Sequence, residues 1–128
     1  MRVLLDTCSF WYWAVEPHKV SAGAREILED RTNEIFFSAV SSWELAILLS
    51  NRRLNLSGSL SDFVDDQLSA YDFQRLLIRF DHTILVRDLP FIHKDPFDRL
   101  LIAQAQIEKL VILTDDEMIP KYEVQALW

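Results

Sequence analysis

The chain has 128 residues, half of them hydrophobic, with 13 basic and 20 acidic side chains for a net charge of −7. That length suits one domain around one core, and the apolar share excludes a disordered chain. The acidic balance excludes a protein that grips nucleic acid by bulk positive charge, but not an enzyme that concentrates carboxylates around a cation. Cys8 is the single cysteine, so an internal disulfide and a cysteine-rich zinc site are ruled out, and a reducing cytoplasm is expected. Apolar runs such as Leu45 to Leu49 are too short to cross a bilayer. One Arg and three apolar residues before Asp6 do not make a secretory signal. With only Gly23 and Gly58 as glycines, there is neither a Gly-rich phosphate loop nor a G-x-S-x-G elbow.

Arg2 to Leu5 is a short apolar run that predicts a buried strand. Ser21 to Arg31 predicts a helix, with Ala24, Ile27 and Leu28 on one face. Glu34 to Ser38 is a second strand and Ser41 to Ser50 a second helix. Leu60, Phe63, Val64 and Leu68 recur at helical spacing, with Asp62, Asp65 and Asp66 turned outward. Residues 72 to 79 are ambiguous, with a short strand over Arg75 to Arg79 as one reading. Asp81 to Arg87 is a helical turn or two, and Pro96 to Leu110 is the strongest helix of the chain. Val111 to Leu113 and Val124 to Leu127 complete the strands. Strands alternating with helices predict an α/β fold with a central, mostly parallel sheet flanked by helices.

In open parallel sheets, sites form at the carboxyl ends of the strands, where helices begin. Asp6 directly follows the first strand, and Asp115 and Asp116 follow Val111 to Leu113. Glu44 and Asp98 are read into the first turns of their helices. Local grammar alone therefore sends several acids to one edge. Each acid has a plainer explanation when taken singly. Ser41 to Glu44 fits a capping box. Asp95-Pro96-Phe97-Asp98 fits an N-cap, a Pro at the first helical position and a first-turn acid. Asp6 resists such a reading, because a carboxylate straight after a buried strand is costly unless paired or bound to a cation. Two carboxylates about 4 Å apart repel by roughly 4 kcal/mol at an effective dielectric near 20. Lys94 and Arg99 are close in sequence, but long basic side chains tend to leave for solvent. A hard divalent cation, Mg²⁺ or Mn²⁺, is the natural counter-charge for carboxylate and water ligands. The chemistry that follows from such a site is phosphodiester hydrolysis.

These residues also carry a family resemblance. Leu4-Leu5-Asp6-Thr7, the run from Ser41 to Ile47, the run from His93 to Ala105, and Leu113-Thr114-Asp115-Asp116 followed by Tyr122 and Val124 resemble the VapC-type toxins, PIN-domain ribonucleases of type II toxin–antitoxin modules. The Asp95 to Ala105 string, D-P-F-D-R-L-L-I-A-Q-A, is the most specific part. The resemblance implies a single, Rossmann-like PIN domain over residues 1–128. It implies a Mg²⁺- or Mn²⁺-dependent endoribonuclease with Asp6, Glu44, Asp98 and Asp116 as catalytic, metal-holding acids. Asp95 and Asp115 then fall outside the quartet, and Thr7, Thr114 and Arg99 are expected to orient carboxylates or substrate. An RNA substrate, a small antitoxin protein whose tail enters the acidic groove, a homodimer and a cytoplasmic location are implied too. Cys8 departs from the pattern, where this branch often has His.

Other features are read as structural. Phe10 to Trp13 is an aromatic run suited to core and interface packing, with stacking on single-stranded RNA as the alternative. Arg52, Arg53, Arg75, Arg79, Lys94 and Arg99 offer a path for RNA as the alternative, but all except Arg99, which adjoins an acid of the site, are read as scattered surface charges. His18, His82 and His93 sit in no metal-ligand spacing and are expected at the surface or at helix caps. Cys8 is expected to be buried. Two competing functions come from other classes. A PIN-like module that binds RNA or protein without cutting would not need the intact quartet. A phospho-accepting receiver domain would need a lone mid-chain Asp after a strand and a Lys after a later strand, and neither is evident.

Overall fold

Parallel strands must be joined by crossovers that cover both faces of the sheet, so their residues are apolar on both sides. The three central strands of this chain meet that demand. The computed structural model describes residues 1–128. In chain order the elements are β1 (Arg2–Leu5), α1 (Thr7–Val15), α2 (Ala22–Glu29), β2 (Glu34–Ser38), α3 (Ala39–Ser50), α4 (Leu60–Tyr71), β3 (Gln74–Leu76), α5 (Phe80–Leu85), α6 (Pro96–Glu108), β4 (Val111–Leu113) and β5 (Ala126–Leu127). All pairings are parallel, in the order β3-β2-β1-β4-β5. The protein is thus a five-stranded α/β fold.

Successive strand residues point to opposite faces, and β1 divides its residues accordingly. Val3 and Leu5 join a cluster with Phe10, Phe37, Leu45 and Val64, while Leu4 joins Val40, Leu101, Ile102 and Ile112 on the other face. Val3, Leu4 and Leu5 are all fully buried. Burial of each is worth about 1.5–3 kcal/mol, and truncating Leu4 to Ala would cost roughly 2–5 kcal/mol.

Register matters more for function. Leu5 stands opposite Phe37 of β2 and Leu113 of β4. The three central strands therefore end level, and the next residues, Asp6, Ser38 and Thr114, line one edge. The α6 helix runs back from that same edge into β4, closing at Lys109 in the left-handed conformation. This brings Asp98 to the edge from a fourth element.

The structure departs from the sequence reading in several places. Thr7–Val15, where no element was expected, is a helix. Residues of several faces are buried in it, Thr7, Ser9, Phe10 and Trp11 among them, so it lacks the one-sided apolar spacing that reveals a surface helix. The α3 helix starts at Ala39 with Ser38 as its N-cap. Ser41 is therefore inside the helix, the Ser41–Glu44 capping box does not form, and Glu44 lies in the second turn. The third strand is Gln74–Leu76 rather than Arg75 to Arg79, α6 ends at Glu108, and the last strand shrinks to Ala126–Leu127. Asp62, Asp65 and Asp66 face solvent as expected. No helix is long and apolar enough to cross a membrane.

Candidate metal centre

Asp6 is the deepest of the acids. It is buried at the end of β1, where its own backbone N–H continues the sheet by donating to Leu113 O at 3.3 Å. Its Oδ1 caps α1, accepting the Ser9 N–H at 2.8 Å and the Ser9 hydroxyl. Its Oδ2 accepts the Thr114 hydroxyl. Burial nevertheless outweighs these bonds and raises the carboxyl above its ordinary value, with Asp115 adding a like charge.

Glu44 projects from α3 and is half-buried. Burial raises its carboxyl, the Thr7 hydroxyl offsets part of the rise, and Asp95 and Asp6 add to it. Thr7 Oγ1 also lies 3.0 Å from the Ser41 hydroxyl, so this hydroxyl pair ties the first turn of α1 to α3 beside Glu44.

Asp98 stands in the first turn of α6, which Asp95 caps by accepting from the Phe97 and Asp98 N–H groups at 2.8 and 3.3 Å. Burial, then the charges of Asp95, Asp6, Glu44 and Asp116, push Asp98 up to about 8. Asp116 follows β4 in a tight turn. Its N–H donates to Thr114 Oγ1 at 3.0 Å and its Oδ1 accepts from Met118 N–H at 2.8 Å. Partial burial would raise Asp116, but Met118, His93 and Asp98 outweigh it and hold the carboxyl low. Asp115 is exposed.

Sequence reasoning missed His93. Its Nε2 lies 2.9 Å from Asp116 Oδ2 and 3.0 Å from Asp98 Oδ2. One donor atom from each of His93, Asp98 and Asp116 falls within 4.8 Å of the others. The sequence separation hides this, because His93 sits in a loop and meets Asp116 across 23 residues. Its place just ahead of the Asp95 cap was the only available signal.

His82 was expected at the surface or a cap. It is fully buried, and it does cap a helix: its Nδ1 accepts the Arg79 N–H at the start of α5 at 3.0 Å, while Nε2 lies 2.9 Å from Glu108 Oε1. Cys8 is exposed rather than buried. Its thiol is still partly desolvated by neighbouring atoms, and that, with the charges of Asp6, Glu44, Asp115 and Asp98, pushes it up to about 12. Cys8 is therefore a neutral thiol at the mouth of the site, without the positive surroundings that make a reactive one.

Arg99 follows Asp98 in sequence, yet it is buried and committed elsewhere. Its guanidinium donates to the carbonyls of Pro90, Val86 and Leu89 and to the Tyr122 hydroxyl, beneath the Phe91 ring. Tyr122 Oη in turn accepts the backbone N–H groups of Ile92 and His93 at 3.2 and 2.7 Å. Arg99 thus braces the loop that carries His93, and the donors Nη1 and Nη2 are bonded to that loop and to Tyr122. Among the other basic side chains, Arg75 pairs with Asp65, and Arg79 with Asp81 and Glu108.

The donor set fits a hard divalent cation. Asp98 and Asp116, with His93, bring donor atoms within 4.8 Å of one another, while Asp6 and Glu44 lie outside that group but near enough to raise Asp98 by their charge. A single multivalent cation would relieve that repulsion, and carboxylate oxygens are the ligands that Mg²⁺ and Mn²⁺ prefer.

A parallel α/β sheet with an acidic cluster at its carboxyl edge defines the class of the molecule. The PIN domain family model matches residues 3–125, and the chain belongs to the PIN-domain family. Similar solved structures extend over nearly the full length. A chain in the structure of VapBC2 from Rickettsia felis bound to a DNA fragment from their promoter is 17% identical, with a TM-score of 0.77 and coverage of 100% of this chain and 99% of that one. One in FitAcB from Neisseria gonorrhoeae is 19% identical, with a TM-score of 0.61 and coverage of 98% and 96%. One in VapBC-1 from nontypeable Haemophilus influenzae is 12% identical, with a TM-score of 0.61 and coverage of 99% and 97%. Comparison with curated protein sequences gives no significant match.

Proposed function

We infer that this protein is the toxin of a type II toxin–antitoxin module, acting as a Mg²⁺- or Mn²⁺-dependent endoribonuclease. The observation that carries the reading is the cluster at the carboxyl edge, where donor atoms of Asp98, Asp116 and His93 lie within 4.8 Å of one another and Asp6 and Glu44 stand close enough to act on Asp98 by charge. Asp6, Asp98 and Asp116 are assigned to hold the cation, with Glu44 binding it or acting through a water. When bound, the cation supplies charge that favours a water nucleophile and the phosphate oxygens of RNA. The chain's own groups do the rest. Thr114 and Ser9 orient Asp6, Thr7 supports Glu44, and the Asp95 cap holds the first turn of α6 under Asp98.

A cognate antitoxin is the assigned partner, and the likeness to the VapBC and FitAB structures supports it. Crowded, half-buried carboxylates favour a cationic tail, and an Arg matches them in bidentate fashion. A homodimer is assigned to the strip formed by Leu77, Ile78, Phe80 and Ile84, all exposed and apolar, with Phe80 at 87%. Exposed strips of this kind mark association surfaces.

The experiment is RNA cleavage by purified, antitoxin-free protein with Mg²⁺ or Mn²⁺, and with EDTA. Cleavage that stops with EDTA is expected, and sequencing the RNA ends would identify the cut. Cleavage unchanged in excess EDTA would sink the mechanism. Co-purification of an adjacent small gene product, with loss of activity in the complex, tests the partner.

A further inference from the structure

His93 touches two acids of the cluster, and the obvious reading makes it a nitrogen ligand to the cation. Its other ring nitrogen argues otherwise. Nδ1 accepts the backbone N–H of Asp95 at 3.2 Å. A backbone N–H can only donate, so Nδ1 carries no proton. In a neutral imidazole the proton then sits on Nε2, the atom that faces Asp98 Oδ2 and Asp116 Oδ2. Nε2 is thus a donor to Asp116 Oδ2, with Asp98 Oδ2 3.0 Å away, and has no lone pair for a metal. To ligate through Nε2 the ring would have to move its proton to Nδ1, against the Asp95 N–H.

The ring is also held in place. Tyr122 accepts the His93 backbone N–H, and Arg99 donates to the same hydroxyl. The Asp95 peptide that fixes the tautomer belongs to the residue whose side chain caps α6, so one turn sets both Asp98 and its donor.

We propose that His93 is a positioning residue, an Nε2–H donor that holds Asp116 beside Asp98 and remains outside the metal's ligands, leaving an all-oxygen set. The inference rests on the metal-dependent reading above and adds a residue that orients its carboxylates. An all-oxygen set suits Mg²⁺ and Mn²⁺, whereas an imidazole ligand would tilt the site toward Ni²⁺ or Zn²⁺.

The test uses the full chain labelled with ¹⁵N-histidine, together with His93→Ala and His93→Gln. Long-range ¹H–¹⁵N spectra should show the Nε2–H tautomer of His93 both without metal and at saturating Mg²⁺. By calorimetry, His93→Ala should bind Mg²⁺ roughly 10–100-fold more weakly, as for other residues that orient ligands. His93→Gln, whose amide also donates, should recover most of that loss, and circular dichroism would check that both variants fold. An Nδ1–H tautomer at saturating Mg²⁺, or Mg²⁺ affinity unchanged in His93→Ala, would overturn the proposal. A folded His93→Gln as weak as His93→Ala would count against the donor role. Wild-type protein that binds neither Mg²⁺ nor Mn²⁺ would overturn the nuclease reading itself, so the two failures are distinguishable.

Discussion

Replacing Asp98 by Asn should stabilise the metal-free protein at pH 8 and change it little at pH 4. Burial and four neighbouring acids push this carboxyl from 3.8 up to about 8, and its side chain is only 14% exposed. A carboxyl with a raised folded pKa binds its proton more tightly in the native state than in the unfolded one. Its contribution to stability is complete below pH 3.8 and is lost as the pH climbs toward 8. At 1.36 kcal/mol per pH unit, the loss across that window is roughly 6 kcal/mol, a large part of the stability of a domain this size. Asn keeps the shape and has no proton to lose. The assay is urea unfolding followed by tryptophan fluorescence, in EDTA at constant ionic strength, from pH 4 to 8. The informative quantity is the variant's stability minus the wild type's, because Asp6 and Glu44, raised, and Asp116, lowered, also titrate. That difference should grow with pH. Adding Mg²⁺ should then restore stability to the wild type by linkage and much less to the variant. A difference that stays flat, or an Asn variant less stable at pH 8, would refute the claim that repulsion and burial strain the metal-free site.

Four further outcomes are expected. Asp98→Asn and Asp116→Asn should abolish RNA cleavage while Asp95→Asn and Asp115→Asn retain much of it; an active Asp116→Asn beside a dead Asp115→Asn would shift the fourth acid by one residue. Asp6→Asn keeps an oxygen for the Ser9 cap, so the metal-free chain should melt no lower than wild type although cleavage is lost, whereas Asp6→Ala should cost about 1 kcal/mol for the missing cap. Arg99→Lys should lose roughly 2–3 kcal/mol in urea unfolding, since an ammonium cannot serve the three carbonyls and one hydroxyl that the guanidinium fork reaches; a neutral result would mean the 86–93 loop is held by other contacts. Leu77→Glu with Phe80→Glu should convert a dimer to a monomer by light scattering without lowering the melting temperature much, and an unchanged mass would place the interface elsewhere.

The sequence by itself determined the class of fold and the edge at which chemistry gathers. Buried parallel strands have to be short apolar runs, so Arg2–Leu5, Glu34–Ser38 and Val111–Leu113 were legible. An acid at or just after the end of such a strand is at the carboxyl edge whatever the rest of the chain does, which is why Asp6 and the Asp115-Asp116 pair could be placed, the choice of Asp116 resting on the family resemblance. Asp98 followed from the Asp95-Pro96 helix start, a signal written in adjacent residues. The α1 helix was not legible, because burial on several sides erases the periodicity that reveals amphipathic helices. Glu44 was assigned to the wrong turn because Ser38, Ser41 and Ser42 are all plausible caps, and only the end of β2 decides among them. What tertiary structure alone decided is how the side chains share their hydrogen bonds. His93 reaches Asp116 from a loop 23 residues away, and Arg99 turns from its neighbour Asp98 to the carbonyls of the 86–90 loop and Tyr122. Those choices depend on which unpaired donors and acceptors the packed chain brings within about 3 Å of one another, a distance that sequence spacing does not encode.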